Sequence, residues 1–285
     1  MSLTLEQLLD HGTGLASLPA IAVRLNQMVD DPDATVADIG RLISQDPGLT
    51  MRLLKIANGP FYGMSSHVDT ISRAVMVLGT RQIRDLVLAT SVSQTLDKFS
   101  NELMSMEDFW RHSLYVGLCA RFLAEHGRRR DAESLFIAGL LHDIGRLLIF
   151  NREPDLAHAA FLLGLQRSDG LDPPSAERAV LGFDHAEVGQ ALAARWQLPE
   201  KLQMCIRYHH DPLAAPDYKV ECAIVHIANS LAHMAEIDTR DERDVPPVEA
   251  ATWEIIGVEK SLVPDIIEQA QLQVVEMESL ILHAA

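Results

Sequence analysis

Six side chains in the second half of the chain have the types that hold a metal ion: His112, His142, Asp143, His185, His209 and His210. His142 and Asp143 adjoin in the apolar run Gly139-Leu140-Leu141-His142-Asp143-Ile144-Gly145-Arg146. Read as the middle of an apolar helix, an imidazole beside a carboxylate is costly to bury unless something pairs with both, and a divalent cation does so. Flanking glycines leave room for a ligand. The bare dipeptide occurs by chance in many proteins, so its weight comes from the other histidines. Any one of them alone reads as an ordinary core or helix-end histidine, because a neutral imidazole needs only a hydrogen bond. Five such histidines with one aspartate, on different helices apart from the adjacent pairs, point to a shared site.

The elements that must carry them are helices. Apolar residues recur at helical spacing, as in Ile21, Leu25, Met28 and Val29, then Val36, Ile39 and Ile43, then Leu49, Leu53 and Ile56. Period-two alternation is almost absent. Thr35 with Asp38 resembles a capping box, Asp46-Pro47 supplies a cap and a first-turn proline, and Gly59-Pro60 stops the helix that follows. His112 lies early in a helix predicted from about Glu107 to Glu125, in register with Val116, Cys119 and Leu123. A second helix is expected from about Asp131 to Phe150, and Pro173-Pro174 marks a loop. His185 opens a helix behind Asp184, which has Glu187 three residues on, and Pro199 starts the helix that ends at His209-His210. Helices over 219–237 and 264–282 complete the set, joined by an exposed acidic connector over 238–248. The polar stretch from Leu96 to Met106 is the expected junction between a helical subdomain at 1–100 and a second at 101–285.

Composition narrows the function. The formal charge is -16, from 40 acidic and 24 basic residues, which argues against a general nucleic-acid groove. The one dense basic run, Arg128 to Arg130, reads as a helix end and its loop. Cys119, Cys205 and Cys222 lie in apolar helical stretches without paired spacing, so a disulfide framework is not expected and a reducing, cytoplasmic location is. No apolar run approaches the length of a membrane span. Trp110, Trp196 and Trp253 read as packing residues, and Gly12-x-Gly14 is too short to cradle phosphate. His226, Asn229 and His233 share a helix face, read as a polar face toward water or toward the cleft.

Between Ser17 and Val92 the chain resembles the HDOD domain, a signalling output domain related to HD phosphohydrolases. The landmarks are Leu18-Pro19, Asp46-Pro47, Leu54 to Asn58 and Val77-Leu78-Gly79, and the likeness continues through His142-Asp143 and Ile224 to Asn229, over roughly residues 15 to 235. The resemblance implies an all-α bacterial protein, with an N-terminal helical bundle packed on an HD-like helical bundle. It also implies a non-catalytic regulatory role, with signalling partners such as receiver domains or cyclic-dinucleotide enzymes. Active HD enzymes hold metal with an early histidine, the HD pair and a late aspartate, and a related subgroup adds further histidines. By order and context the six residues named above match the histidine and HD positions, implying iron, manganese, nickel or zinc as a candidate divalent metal.

The late aspartate does not match: Asn229 stands in its place. A neutral amide removes one negative charge from a site that must hold a dication and activate water. The Gly-Tyr-Pro segment of the cyclic-dinucleotide hydrolases is also missing. Arg146, where many active members have lysine, suits either a phosphate or a carboxylate partner. The expectation is therefore a module without catalytic residues that works through protein or nucleotide recognition. The alternative is a metal-dependent phosphohydrolase that tolerates Asn229.

Overall fold

The structure is a computed structural model that describes residues 3–10, 18–59, 62, 67–96, 105–165 and 172–281. Every regular element among the described residues is helical. The Gly12-x-Gly14 pair, Pro60 and most of the expected junction lie outside the described residues.

The first part holds α1 (Leu5–Asp10), α2 (Ala20–Val29), α3 (Val36–Ile43), α4 (Pro47–Asn58), α5 (Ile71–Leu78) and α6 (Thr80–Leu96). Their ends follow local chemistry. Thr35 and Asp38 cap α3 reciprocally, Asp46 accepts from Leu49 N with Pro47 in the first turn of α4, and Thr70 accepts from Arg73 N. Between α5 and α6, Gly79 adopts φ 96° and ψ 156°, a conformation essentially restricted to glycine. Asn58 fastens the end of α4 to Val68, accepting from its amide at 2.7 Å and donating to its carbonyl at 2.7 Å.

The second part is built around α7 (Met106–His126), which packs on α8 (Ala132–Leu141), α14 (Lys219–Glu236) and α16 (Val263–Ile281). Between α8 and α14 come α9 (Ile144–Arg152), α10 (Pro154–Leu165), α11 (Pro173–Leu181), α12 (His185–Arg195) and α13 (Glu200–Tyr208). A short α15 (Ala250–Ile256) precedes α16. The main core runs from Leu18 to Met277 and passes between α6 and α8. A satellite core of Leu8, Leu148, Ile149, Ala157, Leu181, Phe183 and Val188 holds α1 and α9 to α12 together. All three tryptophans pack as expected, at most 8 % exposed. No helix among the described residues is long and apolar enough to cross a membrane.

Two expectations need correction. The helix expected over 131–150 is two helices: His142 ends α8, and Asp143, at φ −103° and ψ 12°, precedes α9. The carboxylate of Asp143 makes no capping bond and turns to the histidines instead, so tertiary contacts override an uninterrupted apolar helical pattern. Pro173-Pro174 does not mark a loop but begins α11, because Asp172 accepts from Ser175 N and prolines in the first turn forfeit no helical hydrogen bond. The connector over 238–248 contains a short 3-10 turn at Glu242–Asp244.

Candidate metal centre

Close backbone contacts set the positions of the site residues. A Cβ on Gly139 would lie 2.8 Å from Gly117 Cα, so α7 and α8 cross almost backbone to backbone. That crossing places His112, before Gly117, level with His142, after Gly139, and their ring centroids are 5.5 Å apart. A Cβ on Gly145 would lie 2.0 Å from His185 O and 2.6 Å from Gly189 N, so α9 and α12 meet in the same way and bring Asp143 to His185. His209 and His210 arrive at the end of α13, which packs on α12.

The result is a convergence on one carboxylate. Asp143 Oδ1 lies 3.1 Å from His185 Nε2 and 3.5 Å from His209 Nε2, while Oδ2 lies 3.5 Å from His142 Nε2. His210 Nε2 is 2.9 Å from His185 Nε2. Candidate ligand atoms of Asp143, His185, His209 and His210 all lie within 4.8 Å of one another, as do those of His112, His142 and Asp143. His142, Asp143, His185 and His209 are buried, and His112 and His210 half-buried.

The far ring nitrogens fix the tautomers. Nδ1 of His142 faces Gly139 O at 2.7 Å and Nδ1 of His209 faces Ile206 O at 2.8 Å. A carbonyl accepts, so each Nδ1 carries its proton and each Nε2 presents a lone pair inward. His185 Nδ1 is held at 2.6 Å by Glu177 Oε2, which also accepts from His185 N at 2.7 Å. A carboxylate behind an imidazole is the usual outer support of a metal ligand. Lone pairs and a carboxylate aimed at one another make an electron-rich centre, with Arg146 at its edge. His142 Nε2 is buried without a hydrogen-bond partner. The residues present therefore fit a divalent cation, and imidazole with carboxylate suits iron, manganese, nickel or zinc.

Charge supports the same arrangement. Burial would raise the Asp143 pKa, but Arg146, His142 and His185 outweigh it and hold the carboxyl well below its usual range. Burial pushes His142 and His210 well below the ordinary imidazole value, and His209 below it. His185 goes the other way: burial and Arg146 oppose its charge, yet Glu177 and Asp143 raise it to about 9. Without a metal, one proton on His185 occupies the place a cation would take.

Arg146 lies with Nη1 3.3 Å from Asp143 Oδ2, which realises the carboxylate-partner option. Asn229 is buried on α14, and its Oδ1 is 3.0 Å from His112 Nε2. The face carrying His226, Asn229 and His233 turns to the site rather than simply to water: His226 Nδ1 donates to His209 O at 2.7 Å. Two residues escaped the sequence. Glu177 follows Pro173-Pro174, read as marking a loop, and Glu236, 3.1 Å from His112 Nδ1, is legible only as the continuation of the Asn229–His233 face.

Comparison with known proteins gives the family and the fold. The HDOD domain family model matches residues 15–212. A phosphohydrolase candidate from Shewanella amazonensis SB2B superimposes with a TM-score of 0.76 at 28 % identity, covering 98 % of both chains. An HDOD domain protein of unknown function from Geobacter sulfurreducens gives a TM-score of 0.69 at 26 % identity, covering 98 % of this chain and 94 % of that one. An uncharacterized protein of Treponema pallidum (strain Nichols) is 29 % identical over 236 residues. Those residues are 82 % of this chain but 45 % of the relative, so the chain spans less than half of that protein.

Proposed function

Because this chain belongs to the HDOD family, we propose that it is a non-catalytic regulatory module of bacterial cytoplasmic signalling that acts by recognising a partner protein and keeps the histidine centre as a cation-stabilised joint. The observation that carries this is Asn229. The resemblance implies a charged aspartate at that position in active HD enzymes, and here the amide oxygen faces His112 Nε2 instead of adding negative charge to the centre. A bound divalent cation would neutralise Asp143 and tie the α8–α9 break to α12 and α13 through Asp143, His185, His209 and His210. The chain's own residues set its occupancy: Glu177 orients His185, the Gly139 and Ile206 carbonyls orient His142 and His209, and Arg146 steadies Asp143.

Recognition is supported by exposed apolar side chains. Phe161, Leu162 and Leu165 on α10 are 58 %, 40 % and 66 % exposed, an unusual density for one helix face. Receiver domains and cyclic-dinucleotide enzymes are the partners proposed, with residues 1–100 and 101–285 as the two subdomains that relay the signal. Nucleotide recognition in the same cleft would serve the same role.

The test is hydrolysis of p-nitrophenyl phosphate and bis-p-nitrophenyl phosphate with manganese, iron, nickel or zinc supplied. No turnover is expected, together with a higher Tm in the presence of the metal. Turnover that disappears in His142→Ala would establish the second reading, a metal-dependent phosphohydrolase, which the buried Asp143 carboxylate and its ring of imidazoles favour.

A further inference from the structure

His112 faces two ways. Its Nε2 is 3.0 Å from Asn229 Oδ1, and its Nδ1 is 3.1 Å from each carboxylate oxygen of Glu236. His233, three residues before Glu236 on α14, has Nδ1 3.5 Å from Glu236 Oε2. The rings of His112 and His233 lie 4.6 Å apart at a tilt of 34°. Ligand atoms of His112, His233 and Glu236 all fall within 4.8 Å of one another. The side chains are 14 %, 39 % and 24 % exposed, so the cluster opens to solvent where the Asp143 centre is closed.

The amide of Asn229 decides the tautomer. Its oxygen accepts Nε2–H of His112, which leaves the lone pair of His112 at Nδ1, directed away from Asp143 and toward His233 and Glu236. We propose that His112, His233 and Glu236 form a second, outer site for a divalent transition metal, with Asn229 as its positioning residue. Two imidazoles and one carboxylate select a borderline cation such as zinc, nickel or cobalt over magnesium or calcium, which prefer all-oxygen ligands. Asn229 thereby acquires a role of its own: it takes the early histidine out of the inner centre and delivers it to the outer one. The two centres then share no ligand, so the outer site stands or falls independently of the inner one.

The experiment is a zinc titration by calorimetry of the full chain stripped with EDTA and dialysed, with cobalt absorption spectra as a second readout. Two equivalents are expected. His233→Ala and Glu236→Gln, both at partly exposed positions, should each lose one equivalent and keep the other, while Asp143→Asn should keep the outer one. Asn229→Ala should weaken the outer site by about 10–100-fold. A single equivalent lost in Asp143→Asn but not in His233→Ala would overturn the outer site and leave the inner centre standing. A single equivalent lost in His233→Ala but not in Asp143→Asn would support the outer site and sink the inner one. Unchanged stoichiometry and affinity in both His233→Ala and Glu236→Gln would overturn it as well.

Discussion

Gly145→Ala separates the fold from the site more cleanly than any ligand substitution. The new methyl carbon would meet His185 O at 2.0 Å and Gly189 N at 2.6 Å, where ordinary contact begins at 3.4 Å. Both atoms are backbone and cannot rotate away, so α9 and α12 must part by more than an ångström. Alanine is the better helix former by about 1 kcal/mol, so without the clash the substitution would stabilise α9. With it, overpacking should cost about 1–3 kcal/mol, toward the upper end because neither neighbour is a side chain. The same separation carries Asp143 away from His185, now 3.1 Å apart, and metal sites tolerate ligand errors of only about 0.2 Å. Zinc affinity at the inner centre should therefore fall at least as far as on losing an outer support, about 10–100-fold. Urea unfolding followed by circular dichroism gives the first quantity and calorimetric zinc titration the second. Leu53→Ala, at a fully buried position in α4, is the control: it should cost about 2–5 kcal/mol and leave zinc affinity unchanged. Equal or greater stability of Gly145→Ala with wild-type zinc affinity would refute the close α9–α12 approach as the determinant of the centre.

Glu177→Gln keeps the shape behind His185 but removes the charge, and should weaken inner-site zinc binding by about 10–100-fold in the same titration. In EDTA the protein should lose stability as pH rises. The folded-state pKa of His185 is about 9 against an ordinary 6.5, so its contribution is complete below 6.5 and gone above 9, roughly 3 kcal/mol in urea midpoints across that window. Asp143 and Glu177, held low, act in a separate acidic window, stabilising above the ordinary carboxylate pKa and losing that effect as pH falls. Zinc must displace the His185 proton, so its apparent affinity should rise about tenfold per pH unit up to 9; a flat profile would place the proton elsewhere. Gly79→Ala should cost about 1–3 kcal/mol in thermal unfolding, because φ 96° with ψ 156° is strained for any side chain with a Cβ.

Much of the fold was legible because its signals are local. Thr35, Asp46 and Asp184 cap the helices their sequences announce, and His209 stays in phase with Leu202 and Ile206 on the buried face of α13. The helix break at His142-Asp143 was not legible, since nothing in Leu140 to Leu148 interrupts an apolar helical pattern; the cause lies in His185 and His209, more than 40 residues away. Pro173-Pro174 carries two meanings, and only the bond from Ser175 N to Asp172 selects the helical one. Misreading it hid Glu177, which becomes a neighbour of His185 only when α11 exists. The candidate ligands were visible as types in order, but their separation was not. That depends on glycine pairs whose partners belong to other helices.

The satellite core gives the histidine centre a mechanical meaning. Seven buried side chains form a core of their own that joins α1 to α9 through α12, while Ile144 and Leu147 of α9 and Leu192 and Ala193 of α12 belong to the main core. Asp143 and His185 therefore sit on helices shared by the two cores, and His209 and His210 close α13, whose Leu202, Cys205 and Ile206 belong to the main core. α10 and α11, which contribute to the small core through Ala157 and Leu181 and not to the main one, should open locally at lower free energy than the whole molecule unfolds. On the reading proposed above, a cation shared between Asp143, His185 and His209 would tie α9 and α12 to α13, and its arrival or loss would bear on how often the neighbouring α10, with its exposed Phe161 and Leu165, opens.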